Sequence, residues 1–384
     1  MGLENIYSLE SLGINEDADK GSIDEVFLQK FYETIEFKEG KYHVELPWHE
    51  NILEEVPSNY HIALATMRSV HKRLERQGLS SVYGDVFKQY QREGIIEAIQ
   101  VTPENFKNFK FIPHRPVIKT AEQVTTKIRP VFNCSLKVGE SPSLNQASYH
   151  GVDLLNSLFR LLISFRTNKY VVLADISKAF LQIRLKLEED KNRFCFLWEV
   201  NGQVVAYRYT TIIFGLAVSP FVLNAVIRYH ADQYPPDLCS SLLKNNLYVD
   251  NFCFTNSSED VLKTISFQAI SRMKEGGFDL SSWNTNNPEL KAMFLNEGKL
   301  STHQCSEERV LGYLYDPEHD TLKLSDFSLK SVSTKRQLLS EVSKLFDPLA
   351  LFIPVSIHGR LLMRRTWEKD TKWDDEFESE IKSR

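Results

Sequence analysis

Two aspartates raise the first chemical question in this sequence. Asp175 closes the apolar run Tyr170 to Ala174 (YVVLA), and Asp250 sits between two apolar arms in LYVDNFCFT, residues 247 to 255. A carboxylate at the end of a buried strand and another at the tip of an adjacent hairpin bring two anionic oxygen ligands together across a long stretch of chain. Such ligands suit magnesium. A pair of divalent ions roughly 3.5 to 4 Å apart serves nucleotidyl transfer, one lowering the pKa of the attacking hydroxyl and the other neutralising the leaving pyrophosphate. Taken singly, each aspartate has a plainer explanation, because Asp often ends a strand and an Asp-Asn pair often makes a turn. Order and context must decide.

The elements that would position these residues are of mixed type. Apolar side chains at Ala63, Met67, Val70 and Leu74 predict a helix over 59–77. A second helix is predicted over 81–93 with Gly94 as its C-terminal cap, followed by a short extended IIEAI. Residues 108–138 alternate β-branched or aromatic residues with polar ones, as a hairpin of half-exposed strands does, with Arg115, Lys119, Lys127 and Arg129 on its outer face. A short helical pattern over 154–165 precedes YVVLA, which suits a central buried strand. Strands over 193–200 and 203–213 join around Asn201 and Gly202, a strong hairpin signal. Ser219 and Pro220 suit the N-cap and first turn of a helix whose buried stripe is Val222, Leu223, Val226 and Ile227. A second tight hairpin is expected to turn on Asp250-Asn251. A helix over 260–274, a break at Gly276-Gly277 and a strand over 310–315 follow. The class is α+β.

Composition bounds the alternatives. With 384 residues, 42% hydrophobic and 11% aromatic, the chain can build two or three cores. No window approaches the roughly 18 to 20 apolar residues of a membrane span, and the start lacks the order of a signal peptide, so no membrane partner is expected. Gly2 is present, but Ile6 stands where a myristoylation signal has Ser or Thr. The five cysteines form no CxxC pair and are expected to be reduced thiols. The ten histidines show no zinc-type cluster, so any metal should be carboxylate-bound. A net charge of −5 argues against a nucleic-acid binder, but its distribution is uneven. Residues 1–60 hold four Lys/Arg against fourteen Asp/Glu, whereas residues 114–170 hold eight against three. Charge therefore permits a polyanion partner without requiring one. The absence of a DTG or DSG triplet argues against an aspartic protease.

The order of segments is specific. ADISKAF holds Asp175, FGL spans Phe214 to Leu216, Ser219-Pro220 follows, and YVDN and LGY come later. In this order they resemble the polymerase blocks of reverse transcriptases from long-terminal-repeat retrotransposons, most closely the BEL/Pao family. The resemblance runs over nearly the whole chain. It takes in KYHVELPW (41–48), IPHRPVI (112–118), TTKIRPVFNCS (125–135), SLNQ (143–146), LFDPLALFIP (345–354) and WDDEF (373–377).

The resemblance implies a right-hand polymerase with a ferredoxin-like palm. Residues 1–80 would be an N-terminal extension, 81–168 fingers with part of the palm, 169–320 the palm with a primer-grip-like strand, and 321–384 a thumb or connection region. It implies RNA-directed DNA synthesis with two Mg2+ ions, Mn2+ as substitute, held by Asp175, Asp250 and the backbone of Ile176. Asn251 would complete the catalytic set. Lys127, Arg129, Phe180, Phe214 and Gly215 would meet the incoming deoxynucleoside triphosphate, with Phe180 as the gate against a ribose 2′ oxygen. Leu311, Gly312, Tyr313 and Tyr248 would meet the primer. The implied partners are an RNA or DNA template-primer and deoxynucleoside triphosphates, in a cytoplasmic virus-like particle. Protease, ribonuclease H and integrase neighbours of the polyprotein are not expected in this chain. Oligomeric state leaves no signal.

Two departures bear on activity. The family hairpin is often YVDD, and here the fourth position is Asn251, which carries no charge. In GGFDLSSWNTN, residues 276–286, Ser282 stands before Trp283 where the family usually has a lysine, a candidate proton donor to pyrophosphate. General acid help is worth roughly 10² to 10⁴-fold, so slow turnover or another donor is expected. The second reading is a folded polymerase scaffold that binds nucleic acid or a partner without catalysis.

Overall fold

The computed structural model describes residues 18–102, 104–118, 128–299, 308–324 and 330–377. Lys119 and Lys127 of the expected hairpin lie outside the described residues. The chain forms two units interleaved in sequence. Unit 1 is Met1–Leu155, Ile176–Lys244 and Ala269–Asp279; unit 2 is Asn156–Asp175, Asn245–Gln268 and Leu280–Arg384. In chain order the strands are β1 (Glu36–Lys38), β2 (Lys41–Val44), β3 (Ile96–Ile99), β4 (His114–Ile118), β5 (Ile128–Phe132) and β6 (Tyr170–Ile176). Then come β7 (Arg184–Leu185), β8 (Cys195–Val200), β9 (Gln203–Tyr209), β10 (Leu247–Tyr248) and β11 (Asn251–Asn256). The last are β12 (Leu280–Thr285), β13 (Glu308–Val310), β14 (Tyr313–Asp316) and β15 (Thr321–Lys323).

In unit 1 the helix Tyr60–Arg76 buries Ala63, Met67, Val70 and Leu74, the four residues its periodicity marked. The helix Ser80–Arg92 ends against Gly94, whose φ of 65° lets its amide turn back to the Gln91 carbonyl at 3.1 Å. β3 then pairs with β9 of the β8–β9 hairpin, which turns on Asn201 and Gly202, both at positive φ. The β4–β5 hairpin is shorter than 108–138. Its register sets Arg115 opposite Val131 and Val117 opposite Arg129, so both arginines share the exposed face while His114, Ile128 and Phe132 point inward. Inside, His114 has ring neighbours Tyr83, Phe87, Phe132, Phe196 and Trp198 at 5.4 to 6.0 Å between centroids. Its Nε2 donates to the Leu197 carbonyl at 3.0 Å, which leaves Nδ1 to accept from the Tyr83 hydroxyl at 2.8 Å.

Ser219 departs from expectation. Val218 occupies the cap position of the helix Ser219–Ala231, and the Ser219 hydroxyl donates instead to the Ile213 carbonyl at 2.7 Å. Pro220 in the first turn and the stripe Val222, Leu223, Val226 and Ile227 are as expected.

Unit 2 is built on a sheet of order β10-β11-β6-β12, with the YVVLA strand inside it and buried. Leu161, Leu162 and Phe165 pack with Val171, Leu173 and Cys253, and with Val310, Leu311, Tyr313 and Tyr315 of the β13-β14-β15 sheet. Two local expectations are corrected. The strand expected over 310–315 is a hairpin, because Leu311 and Gly312 take left-handed φ of 50° and 96° and Val310 pairs back onto Tyr313. The turn expected at Asp250-Asn251 falls one residue earlier, as Tyr248 pairs with Asn251 and leaves Val249 and Asp250 as the turn. The helices Lys335–Val342 and Ile353–Glu368 follow. Cys134, Cys195, Cys239 and Cys253 are buried free thiols. Among the described residues no helix is long and apolar enough to cross a membrane.

Candidate active site

In unit 2, β6 and β11 run antiparallel with Asn251 opposite Asp175 and Asn256 opposite Tyr170. Directly opposed residues have Cβ atoms about 4.5 to 5.5 Å apart, so the register brings the start of β11 to the end of β6. Asp250 lies one residue before that pair. Its backbone is set by Val249, a β-branched residue held at φ 56°, a conformation that costs on the order of 1 to 3 kcal/mol. Asn251 Nδ2 donates to Asp250 Oδ1 at 3.1 Å. The amide thereby occupies one lone pair of the carboxylate and adds no negative charge. Ile176, the last residue of β6, is buried.

The donor set fits magnesium in kind. Among the described residues no three His, Cys, Asp or Glu gather where they could hold a metal ion. Magnesium, however, is commonly held by one or two carboxylates, with waters and substrate phosphates filling its remaining positions. Asp175 and Asp250, both in unit 2, match this pattern, while Ile176 falls in unit 1.

The four residues expected to meet a primer lie in unit 2 as well. Tyr248 packs against the unit's core, and Leu311 and Tyr313 are buried, Tyr313 to 3% exposure. The exposed part of the β13–β14 turn is Gly312.

Unit 1 holds the residues expected to meet a nucleotide, except Lys127, which is not among those described. Arg129 stands exposed on β5. Phe180 lies in the turn Ala179–Gln182, 7% exposed, its ring edge-on to Phe214 at 4.7 Å, whereas Phe214 is 43% exposed. Gly215 has φ 97°, and a Cβ there would lie 2.7 Å from the Phe132 carbonyl oxygen. No side chain fits that approach. Gly215→Ala is expected to cost about 2 kcal/mol or more, read as a lowered thermal midpoint; an unchanged midpoint would show that the turn yields freely.

One residue of this region escaped the sequence reading. Asn145 was legible only as part of the SLNQ block, yet its Nδ2 donates to the Gly215 carbonyl at 3.0 Å and to Ser135 Oγ at 2.8 Å, while its Oδ1 accepts from the Ala217 amide at 2.9 Å. It clamps the Phe214–Ala217 turn. A capping box between Ser143 and Gln146 fixes the short helix that carries it. Asn145, Lys137, Tyr149, His150 and Ala217 border a cleft of about 930 Å³. The S/T-x-x-Q spacing was the available signal; the long-range partners of Asn145 left none.

Comparison with solved structures places the fold. The chain has a mixed α/β fold similar to that of foamy viral protease-reverse transcriptases. For the structure solved with an RNA/DNA hybrid the TM-score is 0.51 at 16% identity, covering 78% of this chain and 35% of that one. For the dRH form with double-stranded DNA it is 0.51 at 14%, covering 77% and 44%, and for another complex with double-stranded DNA 0.50 at 13%, covering 78% and 56%. The chain thus spans about a third to a little over half of these proteins. Residues 334–384 match the family described as the Pao retrotransposon-like RNaseH-like domain, where the motifs imply a thumb or connection region, and this match runs against the expectation that no ribonuclease H-related segment lies in the chain. Both likenesses are to retroelement proteins. No curated protein matches the chain.

Proposed function

We propose that the chain is the polymerase part of a reverse transcriptase from a BEL/Pao-type retrotransposon, a right hand with a ferredoxin-like palm that adds deoxynucleotides to a primer on an RNA or DNA template. The observation that carries this reading is the strand register that sets Asn251 opposite Asp175, with Asp250 at the turn just before it. The foamy viral proteins of similar fold were solved with RNA/DNA hybrid or double-stranded DNA, which supports the same class of partner here.

Magnesium ions held by Asp175, Asp250 and the Ile176 carbonyl, or manganese in their place, would supply Lewis-acid activation and charge neutralisation for phosphoryl transfer. Arg129, with Lys127, grips the triphosphate, the guanidinium through paired hydrogen bonds and the ammonium as a point charge. Phe180 closes against a ribose 2′ oxygen and favours deoxynucleotides, while the glycine backbone at Phe214-Gly215 admits the nascent base pair. The Leu311–Gly312 turn, backed by Tyr313 and Tyr248, holds the primer strand.

Asn251 tunes this site. With two carboxylates in place of three, magnesium affinity is lower, and Asn251→Asp is expected to reduce the magnesium concentration for half-maximal extension by about ten-fold. An unchanged magnesium titration would remove Asn251 from the metal site.

The reading is tested by extension of oligo(dT) on poly(rA) with dTTP and magnesium. Extension by the parent chain, stopped by EDTA, supports it. The alternative is a polymerase-like scaffold that binds nucleic acid or a partner without catalysis, favoured by the neutral Asn251 where a carboxylate is usual. Extension by Asn251→Asp but not by the parent would select that alternative.

A further inference from the structure

The Leu311–Gly312 turn of unit 2 is held in place by a segment far along the chain. A Cβ on Gly312 would lie 2.1 Å from Phe346 Cε1, so that ring rests directly against the glycine. Next to it the Tyr313 hydroxyl donates to Asp347 Oδ1 at 3.2 Å and accepts from the Leu349 amide at 3.4 Å. The same carboxylate accepts from the Leu351 amide at 3.1 Å and the Phe352 amide at 2.6 Å. Leu349 packs on the core that holds Leu311 and Tyr313. Leu311 itself sits at φ 50°, a conformation a leucine keeps only where its surroundings enforce it.

We propose that Asp347 is a positioning residue: through Tyr313, and with Phe346 against Gly312, it clasps the β13–β14 turn in the strained shape that meets the primer strand. The inference rests on the polymerase reading above. Asp347 touches no nucleic acid in this scheme. It acts through a buried tyrosine whose side chain is turned away from solvent.

Asp347→Asn and Tyr313→Phe test the clasp in the full chain. Three quantities are read: anisotropy of a fluorescein-labelled primer-template duplex, the KM for dTTP, and hydrogen exchange across residues 308–316. Asp347→Asn is expected to weaken duplex binding about ten-fold, to leave the KM for dTTP within about two-fold, and to speed exchange in the hairpin. Tyr313→Phe shifts the same quantities in the same direction by less, and the double variant behaves as Asp347→Asn alone. Unchanged exchange in Asp347→Asn overturns the clasp regardless of activity. Equal changes in duplex binding and in the KM for dTTP overturn the positioning role in favour of general loosening. A parent chain that binds no duplex sinks the polymerase reading, and the primer role with it. If the parent binds duplex and Asp347→Asn binds as tightly, the inference alone fails.

Discussion

Asp250→Ala is expected to reduce primer extension by on the order of 10³-fold, since charge stabilisation by a bound metal is worth several kcal/mol and each 1.36 kcal/mol is ten-fold in rate. The carboxylate at the β10–β11 turn is one of two proposed anionic ligands, and its neighbour Asn251 is neutral and cannot replace it. The fold should hardly notice the change. Asp250 is half-exposed in a turn, where substitutions usually cost little, so the variant should stay folded. Initial rates of labelled dTTP incorporation at saturating magnesium, with circular dichroism as the folding control, measure both. A variant that keeps more than about a tenth of the parental rate would mean that Asp250 holds no metal, and the polymerase reading would lose its centre.

The second large effect is on stability. Burial among aromatic rings holds the His114 pKa down at about 4, against a weaker upward pull from its hydrogen bond to the Leu197 carbonyl. Unfolded, the ring titrates near its ordinary 6.5. Because the folded state resists protonation, this contribution is fully present above pH 6.5 and is lost as the pH falls toward 4. The loss from His114 alone is about 2 kcal/mol at pH 5 and about 3 kcal/mol at pH 4. His230 works in the same direction, its pKa lowered by burial, with Nε2 bonded to the Arg272 carbonyl at 2.6 Å. Urea unfolding at pH 7, 5.5 and 4 should show the parent losing more stability than His114→Asn, whose side chain does not titrate. Equal losses in the two proteins would assign the acid sensitivity to carboxylates elsewhere.

What could be read from sequence was what local physics controls. The face of the Tyr60–Arg76 helix follows from 3.6-residue spacing, and Asn201-Gly202 announces its hairpin because both positions need positive φ. The Val249–Asp250 turn shows the limit. Turn preference favours Asn over a β-branched residue at positive φ, so Asp250-Asn251 was the reasonable expectation, but pairing with β6 draws Asn251 into the sheet and leaves Val249 to take the strain. Register follows from which face is buried as well as from turn chemistry, and here one deciding partner, β6, lies far away in sequence. The 310–315 segment failed for a related reason. Its β-branched and aromatic residues read as one strand, and Gly312 was the sole local hint that it doubles back. Both aspartates were legible from their motifs, whereas the Asn251 hydrogen bond to Asp250 and the clamp by Asn145 depend on contacts distant in sequence or set by that register.

The order of the unit 2 sheet also sets a timetable for synthesis. Among the described residues β6 pairs with β11 and β12, the second of which ends at Thr285. A ribosome moving at about 5 to 20 residues per second needs roughly 5 to 20 s to make the hundred or so residues between the end of β6 and the end of β12. Throughout that interval YVVLA has two bare edges and an apolar surface, the form of strand most prone to pair with other chains. Residues 170–174 are therefore the stretch of this sheet most open to mispairing while the chain is being made.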